Sequence, residues 1–309
     1  MKYLEPFVTA LIDNLNKSKI PKQMDVVLEG GAFNGAYEAG VMCYLRELEK
    51  MKVCEVKRIS GVSCGALIAT MYLTSTLDSL DHFYSLLTRN LLSSGKFDEL
   101  PAFLDEALSP LSDEKVKALS GRLYITYVDM KTHSRVVVSE FDTKETLKEV
   151  LRKSAYIPYI MDGNVTTDDC CIDGGTPYIF PFDIDKRKDN SYRTLYIKLA
   201  SWRLMKEALS TKANYNVARR ATEGIQRIHD LLCEGQSNEL ASFVEDWTLK
   251  EFSVTSLSRV VWYVFIIVVR VLMNIADYMP EQVLQSPFYR RFVGICGELW
   301  SDYGHRLVS

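Results

Sequence analysis

The sequence predicts an α/β domain, a mainly parallel central sheet flanked by helices, followed by a helical C-terminal extension. Three observations predict it. Residues 24–28 (MDVVL) and 56–60 (VKRIS) are short β-rich runs, and each enters a glycine-rich turn and then a helical stretch, 36–51 and 64–73. Strand, glycine turn and helix, taken twice, is the pattern of a parallel sheet that holds ligands at the C-terminal ends of its strands. Beyond residue 200 the texture changes to longer helical periodicity, so the expected division is 1–200 for the α/β domain and 201–309 for the extension.

Each element follows from its local pattern. Leu4, Phe7, Val8, Leu11, Ile12 and Leu15 recur at helical spacing, which predicts an N-terminal helix packing one apolar stripe on the core; a helix lying on a membrane surface is the other reading. Glu5 and Asp13 fall where a secretory signal needs an uncharged apolar run, so secretion is not expected. The 64–73 stretch is nearly all apolar and reads as a buried helix. Residues 76–119 are helical in pattern, punctuated by Pro101 and Pro110. Residues 123–128 and 135–138 are β-rich, 144–154 helical, and 195–199 a further strand. In the extension, 216–232 and 240–247 carry the clearest helical patterns.

Composition narrows the function. The chain has 309 residues, 47% hydrophobic and 25% charged, with net charge -3, which excludes a disordered chain and a basic nucleic-acid-binding tail. The seven cysteines (Cys43, Cys54, Cys64, Cys170, Cys171, Cys233 and Cys296) are odd in number and lack CxxC spacing or paired histidines. They read as free thiols in a reducing, intracellular compartment, and no metal site is expected.

Three motifs carry the chemistry. Gly61-Val62-Ser63-Cys64-Gly65 fits GxSxG between a strand and an apolar helix, the setting a nucleophile elbow requires; a serine capping that helix is the plainer alternative. Upstream, Gly30-Gly31-Ala32-Phe33-Asn34-Gly35 also lies between strand and helix, where its backbone N–H groups can meet a phosphate or the oxyanion of an acyl intermediate. A dinucleotide fingerprint fails twice: Ala32 occupies the middle glycine, and a serine turn stands where an acidic ribose ligand would. Asp173-Gly174-Gly175 follows the β-leaning Cys170-Cys171-Ile172, and either brings a carboxylate to a strand end or forms an ordinary turn.

In chain order, the glycine-rich loop, GxSxG and Asp-Gly-Gly, with Ser154-Ala155-Tyr156-Ile157-Pro158 between the last two, resemble the patatin-like phospholipase family over residues 24–181. The resemblance implies a modified α/β-hydrolase-like fold and a lipid acyl hydrolase acting on phospholipids or lysophospholipids at a membrane or micelle surface. It implies a Ser-Asp dyad without histidine, metal or cofactor. By position, Ser63 is the nucleophile, Asp173 the base, and Gly30, Gly31 and Ala32 the oxyanion loop, with Asn34, Gly35 and Cys64 beside it. Two positions depart from the family loop: Ala32 stands for a third glycine and Asn34 for a basic residue. They motivate the alternative of a weakly active or inactive lipid-binding protein on the same fold.

An aspartate with an ordinary pKa is a poor base for an alcohol, so the dyad requires Asp173 to be buried. A Ser-Asp-His arrangement would need a histidine after the aspartate. Only His229 and His305 qualify; one lies in the charged run 227–230 and the other four residues from the end, which predicts surface positions for both. The extension contains ten consecutive apolar residues, 260–269, and no lysine after Lys250. In a 19-residue window from Val260, eleven Val, Ile, Leu or Phe contribute about -3 to -6 kcal/mol to insertion, against about +3 for Arg270. Three readings stand for 260–273: core, a transmembrane span, and an interfacial segment giving peripheral membrane association, to which Trp262 and Tyr263 are suited.

Overall fold

The computed structural model describes residues 1–94, 97, 99–158, 161–164, 166–181, 191–199, 201, 203–204, 208, 216–255, 257 and 264. In chain order the elements are α1 (Glu5–Asp13), β1 (Gln23–Leu28), α2 (Gly35–Lys50), β2 (Glu55–Val62), α3 (Cys64–Leu73), α4 (Leu80–Ser94), α5 (Leu100–Leu108) and α6 (Asp113–Lys117). They continue with β3 (Leu123–Asp129), β4 (Ser134–Val138), α7 (Lys144–Ser154), β5 (Cys171–Asp173), β6 (Tyr192–Ile197), α8 (Val217–Glu234) and β7 (Ala241–Phe243). The sheet runs β4-β3-β2-β1-β6-β7, with β5 also paired to β3. Its centre, β3-β2-β1-β6, is parallel, and the flanking strands β4, β5 and β7 are antiparallel to their neighbours. This is the mixed, mostly parallel sheet with helices that the sequence predicts.

Strand alternation divides the core. Met24, Val26 and Leu28 of β1 with Leu195 and Ile197 of β6 face the large apolar cluster that takes in the helices. Val27 and Tyr196 face the other way, onto Phe180 and Val244, with Tyr178, Trp247 and Phe252 packed around them. β1 is thus covered on both faces, which is why its run of five residues is apolar except for Asp25. That aspartate is tied by a charge-assisted bond to Arg58 and by the Tyr192 hydroxyl at 2.8 Å.

α1 buries Val8 and Ile12 fully, with Leu4 and Leu15 flanking them, so the stripe packs on the core and leaves Phe7 at its exposed margin. α3 and α7 have the bounds expected from sequence. Beyond residue 200 the structure differs from the expected helix at 240–247. Residues 240–247 are not helical: Ala241–Phe243 pairs antiparallel with β6, and Val244–Asp246 forms a 3-10 turn. Within residues 217–243, β7 extends the sheet and α8 packs along α2, burying Ala221, Gly224, Ile225, Ile228, Leu231 and Leu232. His229 is half-buried and not on the open surface, because its ring lies against α2, 2.9 Å from the Tyr44 hydroxyl. The segment 260–273 lies outside the described residues apart from Val264, as does His305. Among the described residues no helix is long and apolar enough to cross a membrane.

Candidate active site

The register around β3 brings the serine and the aspartate together. β2 runs parallel to β3 until Val62 pairs Thr126, and there its chain turns away into α3. β5 takes the vacated place beside β3 from the opposite direction, with Asp173 paired to Tyr127. The ends of β2 and β5 therefore meet head-on across one residue step of β3, with Ser63 and Asp173 at the junction.

Ser63 occupies a strained turn. Its φ and ψ are 56° and -129°, a region that costs a non-glycine residue about 1–3 kcal/mol and persists only where the surroundings enforce it. They do so from three sides. The Ser63 N–H donates to Ser154 Oγ at 3.0 Å, and that hydroxyl donates to the Thr126 carbonyl at 2.8 Å, tying the elbow to β3 through α7. The Ser63 carbonyl accepts from the Ala66 N–H at 3.0 Å in the first turn of α3. Finally, a Cβ on Gly61 would lie 2.5 Å from the Gly65 carbonyl oxygen, and one on Gly65 2.6 Å from that of Glu29. The two glycines of GxSxG are required by backbone packing.

Asp173 is buried, and its surroundings fit it for proton transfer. Its N–H donates to the Tyr156 carbonyl at 2.8 Å, and its Oδ1 accepts from the Gly175 N–H at 2.7 Å. Burial pushes the carboxyl up from 3.8 to about 6, opposed by hydrogen bonds from the Ser63 hydroxyl and the Gly175 N–H. The serine hydroxyl thus lies beside a carboxylate whose proton affinity is raised towards neutrality.

The glycine loop borders Ser63. A Cβ on Gly30 would come within 2.8 Å of Ser63 Cβ, so only glycine lets the loop approach this closely. Gly31 has φ 178°, extended backbone, and its N–H donates to Cys64 Sγ at 3.1 Å. Burial, then the neighbouring Glu38 carboxyl, push that thiol well above its ordinary pKa, so it stays protonated. Ala32 adopts φ 47°, the left-handed region, at a cost of about 1 kcal/mol relative to glycine. Asn34 is fully buried and its amide donates to the Leu204 carbonyl, so this side chain braces the loop instead of pointing at the serine. Gly35 starts α2 beneath Tyr84 and Cys64. Glu29 holds the loop entrance to β6, accepting from the Tyr196 hydroxyl and, at 2.7 Å, from the Leu199 N–H.

Ser63 opens on a cleft between α3, α4 and the turn after α7. Ala32, Phe33, Leu67, Phe83, Leu87 and Phe97 line it with Ala155, Ile157 and Met161, so that beyond the Ser63 hydroxyl and the Cys64 thiol the walls are apolar. The lining is hydrocarbon-like, in a narrow cleft of about 40 Å³. Among the described residues no group of three or more His, Cys, Asp or Glu could hold a metal ion.

Residues 26–185 match the family model described as Patatin, patatin-like phospholipase. The chain belongs to the patatin-like phospholipase family. Its curated relatives include the human omega-hydroxyceramide transacylase, 27% identical over 148 residues, 43% of this chain and 26% of that protein. The human patatin-like phospholipase domain-containing protein 4 is 24% identical over 148 residues, 44% of this chain and 57% of that one. The match thus spans about a quarter to just over half the length of these relatives. Among solved structures, the ExoU-SpcU heterodimer from the type III secretion system of Pseudomonas aeruginosa aligns with 91% of this chain and 67% of that one, at 15% identity and TM-score 0.39. VipD from Legionella pneumophila covers 56% of this chain and 49% of that one, at 15% identity and TM-score 0.34.

Sequence reasoning missed three supports of this patatin-like site. Ser154 was visible as part of a motif, but its bond to the Ser63 N–H was not. Tyr84, whose hydroxyl donates to the Ala32 carbonyl at 3.3 Å, carries no sequence signal. Arg220 does: it interrupts the apolar stripe of α8 and is only 2% exposed.

Proposed function

We propose that this patatin-like protein is a lipid acyl hydrolase that cleaves the carboxylic ester of phospholipids or lysophospholipids through a Ser63-Asp173 dyad, without metal or cofactor. The observation that carries the proposal is the placement of the Ser63 hydroxyl beside a buried carboxyl with a pKa of about 6, at the mouth of an apolar cleft. Ser63 Oγ attacks the ester carbonyl carbon as Asp173 accepts its proton. The tetrahedral oxyanion forms against N–H groups of the 30–32 loop and the Cys64 N–H at the start of α3. Collapse breaks the ester C–O bond, and the Asp173 proton passes to the departing alcohol. Water, deprotonated by the same carboxylate, then attacks the acyl-enzyme, releasing fatty acid and restoring Ser63.

The transacylase named among the relatives supports a further option at the second step, an alcohol in place of water. A second reading, lipid binding without turnover, is favoured by the Gly31 N–H being engaged by Cys64 and by the Asn34 amide facing Leu204. The protein would meet its substrate by peripheral association, and the exposed Leu249, Val254 and Leu257 support an apolar contact with lipid.

The test is release of fatty acid from mixed micelles of phospholipid or lysophospholipid, with and without chelator. The proposal predicts turnover that chelator leaves unchanged and Ser63→Ala abolishes. A folded wild-type protein that binds micelles but releases no fatty acid establishes the second reading instead.

A further inference from the structure

The loop at residues 30–35 contains no cationic side chain, and it passes through Ala32 in a backbone region that alanine avoids. Something must hold it, and most of the contacts come from beyond the family match. The Ala32 carbonyl accepts from the Tyr84 hydroxyl at 3.3 Å. The Phe33 carbonyl accepts from the Arg220 guanidinium at 3.1 Å, the Phe33 N–H donates to the Ala208 carbonyl at 2.9 Å, and the Asn34 amide donates to the Leu204 carbonyl. Leu204, Ala208 and Arg220 all lie after residue 185, where the match ends.

Arg220 is set in place by backbone packing. α8 crosses α2 so closely that a Cβ on Gly40 would lie 2.0 Å from the Ala221 carbonyl oxygen, and one on Gly224 2.1 Å from that of Tyr37. The crossing fixes α8 against the first turns of α2, and Arg220, one residue before Ala221, is thereby aimed at the loop from which α2 starts. A guanidinium is charged at any working pH, and its hydrogen bond to a carbonyl is charge-assisted. Fixing the Ala32 and Phe33 carbonyls fixes the two peptide planes that follow Ala32, whose N–H groups are turned to Ala208 and Gly31, and so anchors the end of the loop that presents the 30–32 N–H groups.

We propose that Arg220 is a positioning residue for the oxyanion loop: through the Phe33 carbonyl it holds the 30–34 backbone in the orientation that stabilises the oxyanion. The proposal rests on the reading of Ser63 and Asp173 as the dyad. It makes α8 part of the catalytic unit, although the family match ends before it.

The experiment compares Arg220→Gln and Arg220→Lys with wild type in the full chain. It measures kcat and KM on a soluble monomeric ester, the rate at which a fluorophosphonate probe labels Ser63, and the melting temperature. The expected result is a folded Arg220→Gln with kcat and labelling rate both about tenfold or more below wild type, since one oxyanion donor is worth about 10²–10³ in rate. KM stays within about threefold and Arg220→Lys, which keeps the charge, recovers most of the loss. If Arg220→Gln does not fold, Arg220→Ala with added guanidinium ion decides on the same readouts: a reduced kcat restored by guanidinium supports positioning, and a kcat that guanidinium leaves unchanged in the folded variant overturns it. Wild-type kcat and labelling in folded Arg220→Gln, or loss of melting temperature alone, overturns the proposal. Turnover surviving in Ser63→Ala would instead overturn the dyad on which it rests.

Discussion

The ionisation of Asp173 gives a prediction with a worked magnitude. Its carboxyl stands at about 6, roughly two units above its ordinary 3.8, because burial penalises the charged form. As the proposed general base it would act only when deprotonated. With a pKa of about 6, roughly 10% of the free enzyme is competent at pH 5 and roughly 90% at pH 7, so kcat/KM should rise about tenfold across that interval. The same shift acts on stability with the opposite sign. Between 3.8 and about 6 the folded protein binds more protons at this group than the unfolded chain does, so stability falls as pH rises through that window. The loss is about 3 kcal/mol at two units. Asp173→Asn should therefore lower kcat by about 10³ or more while adding about 1–3 kcal/mol of stability at pH 7 and little at pH 3.5. The assays are kcat/KM against pH on a non-ionising ester, and denaturant unfolding of both proteins at the two pH values. A flat profile down to pH 4.5, or an acid limb near 6 that persists in Asp173→Asn, would refute the reasoning; the latter would point to a histidine.

Other perturbations follow from the same geometry. Ala32→Gly should relieve the positive φ and stabilise the protein by about 0.5–1 kcal/mol in denaturant melts, with turnover kept. Ser154→Ala leaves the Ser63 N–H and the Thr126 carbonyl without their shared partner, so it should cost about 1–3 kcal/mol of stability and lower kcat with KM little changed. Gly40→Leu drives a side chain into the Ala221 backbone and should cost about 3 kcal/mol or more, read as a drop in melting temperature. Wild-type melting in Gly40→Leu would contradict the α2–α8 crossing.

How much of this was legible depended on how local the determinants are. The elbow was legible because strand, GxSxG and apolar helix are contiguous; 64–73 forms a helix over the bounds of its apolar run, and 144–154 over those of its helical pattern. β7 was not: three residues alternating buried, half-buried, buried are too few to show a period, and their strand form depends on pairing with β6. Asp173 could be singled out only through its place after the other motifs, since Asp-Gly is a common turn and its burial depends on Ser63 and Tyr156. Ser154 reaches the Ser63 N–H across 91 positions, and Arg220 reaches the Phe33 carbonyl across 187. Contacts at such separation leave at most an indirect trace, a polar residue on an apolar stripe. His229 was misread as a surface residue for the related reason that its partner, Tyr44, lies on a distant helix.

The proposed function requires Ser63, activated by Asp173, to be a nucleophile towards carbonyl and phosphoryl centres. Mass spectrometry of the intact protein after incubation with a fluorophosphonate tests it most directly. One adduct per chain is expected, located on Ser63, formed about 10²-fold or more slowly in Asp173→Asn and absent in Ser63→Ala. A folded wild-type protein that stays unlabelled at pH 7–8, or an adduct that persists in Ser63→Ala, would contradict it.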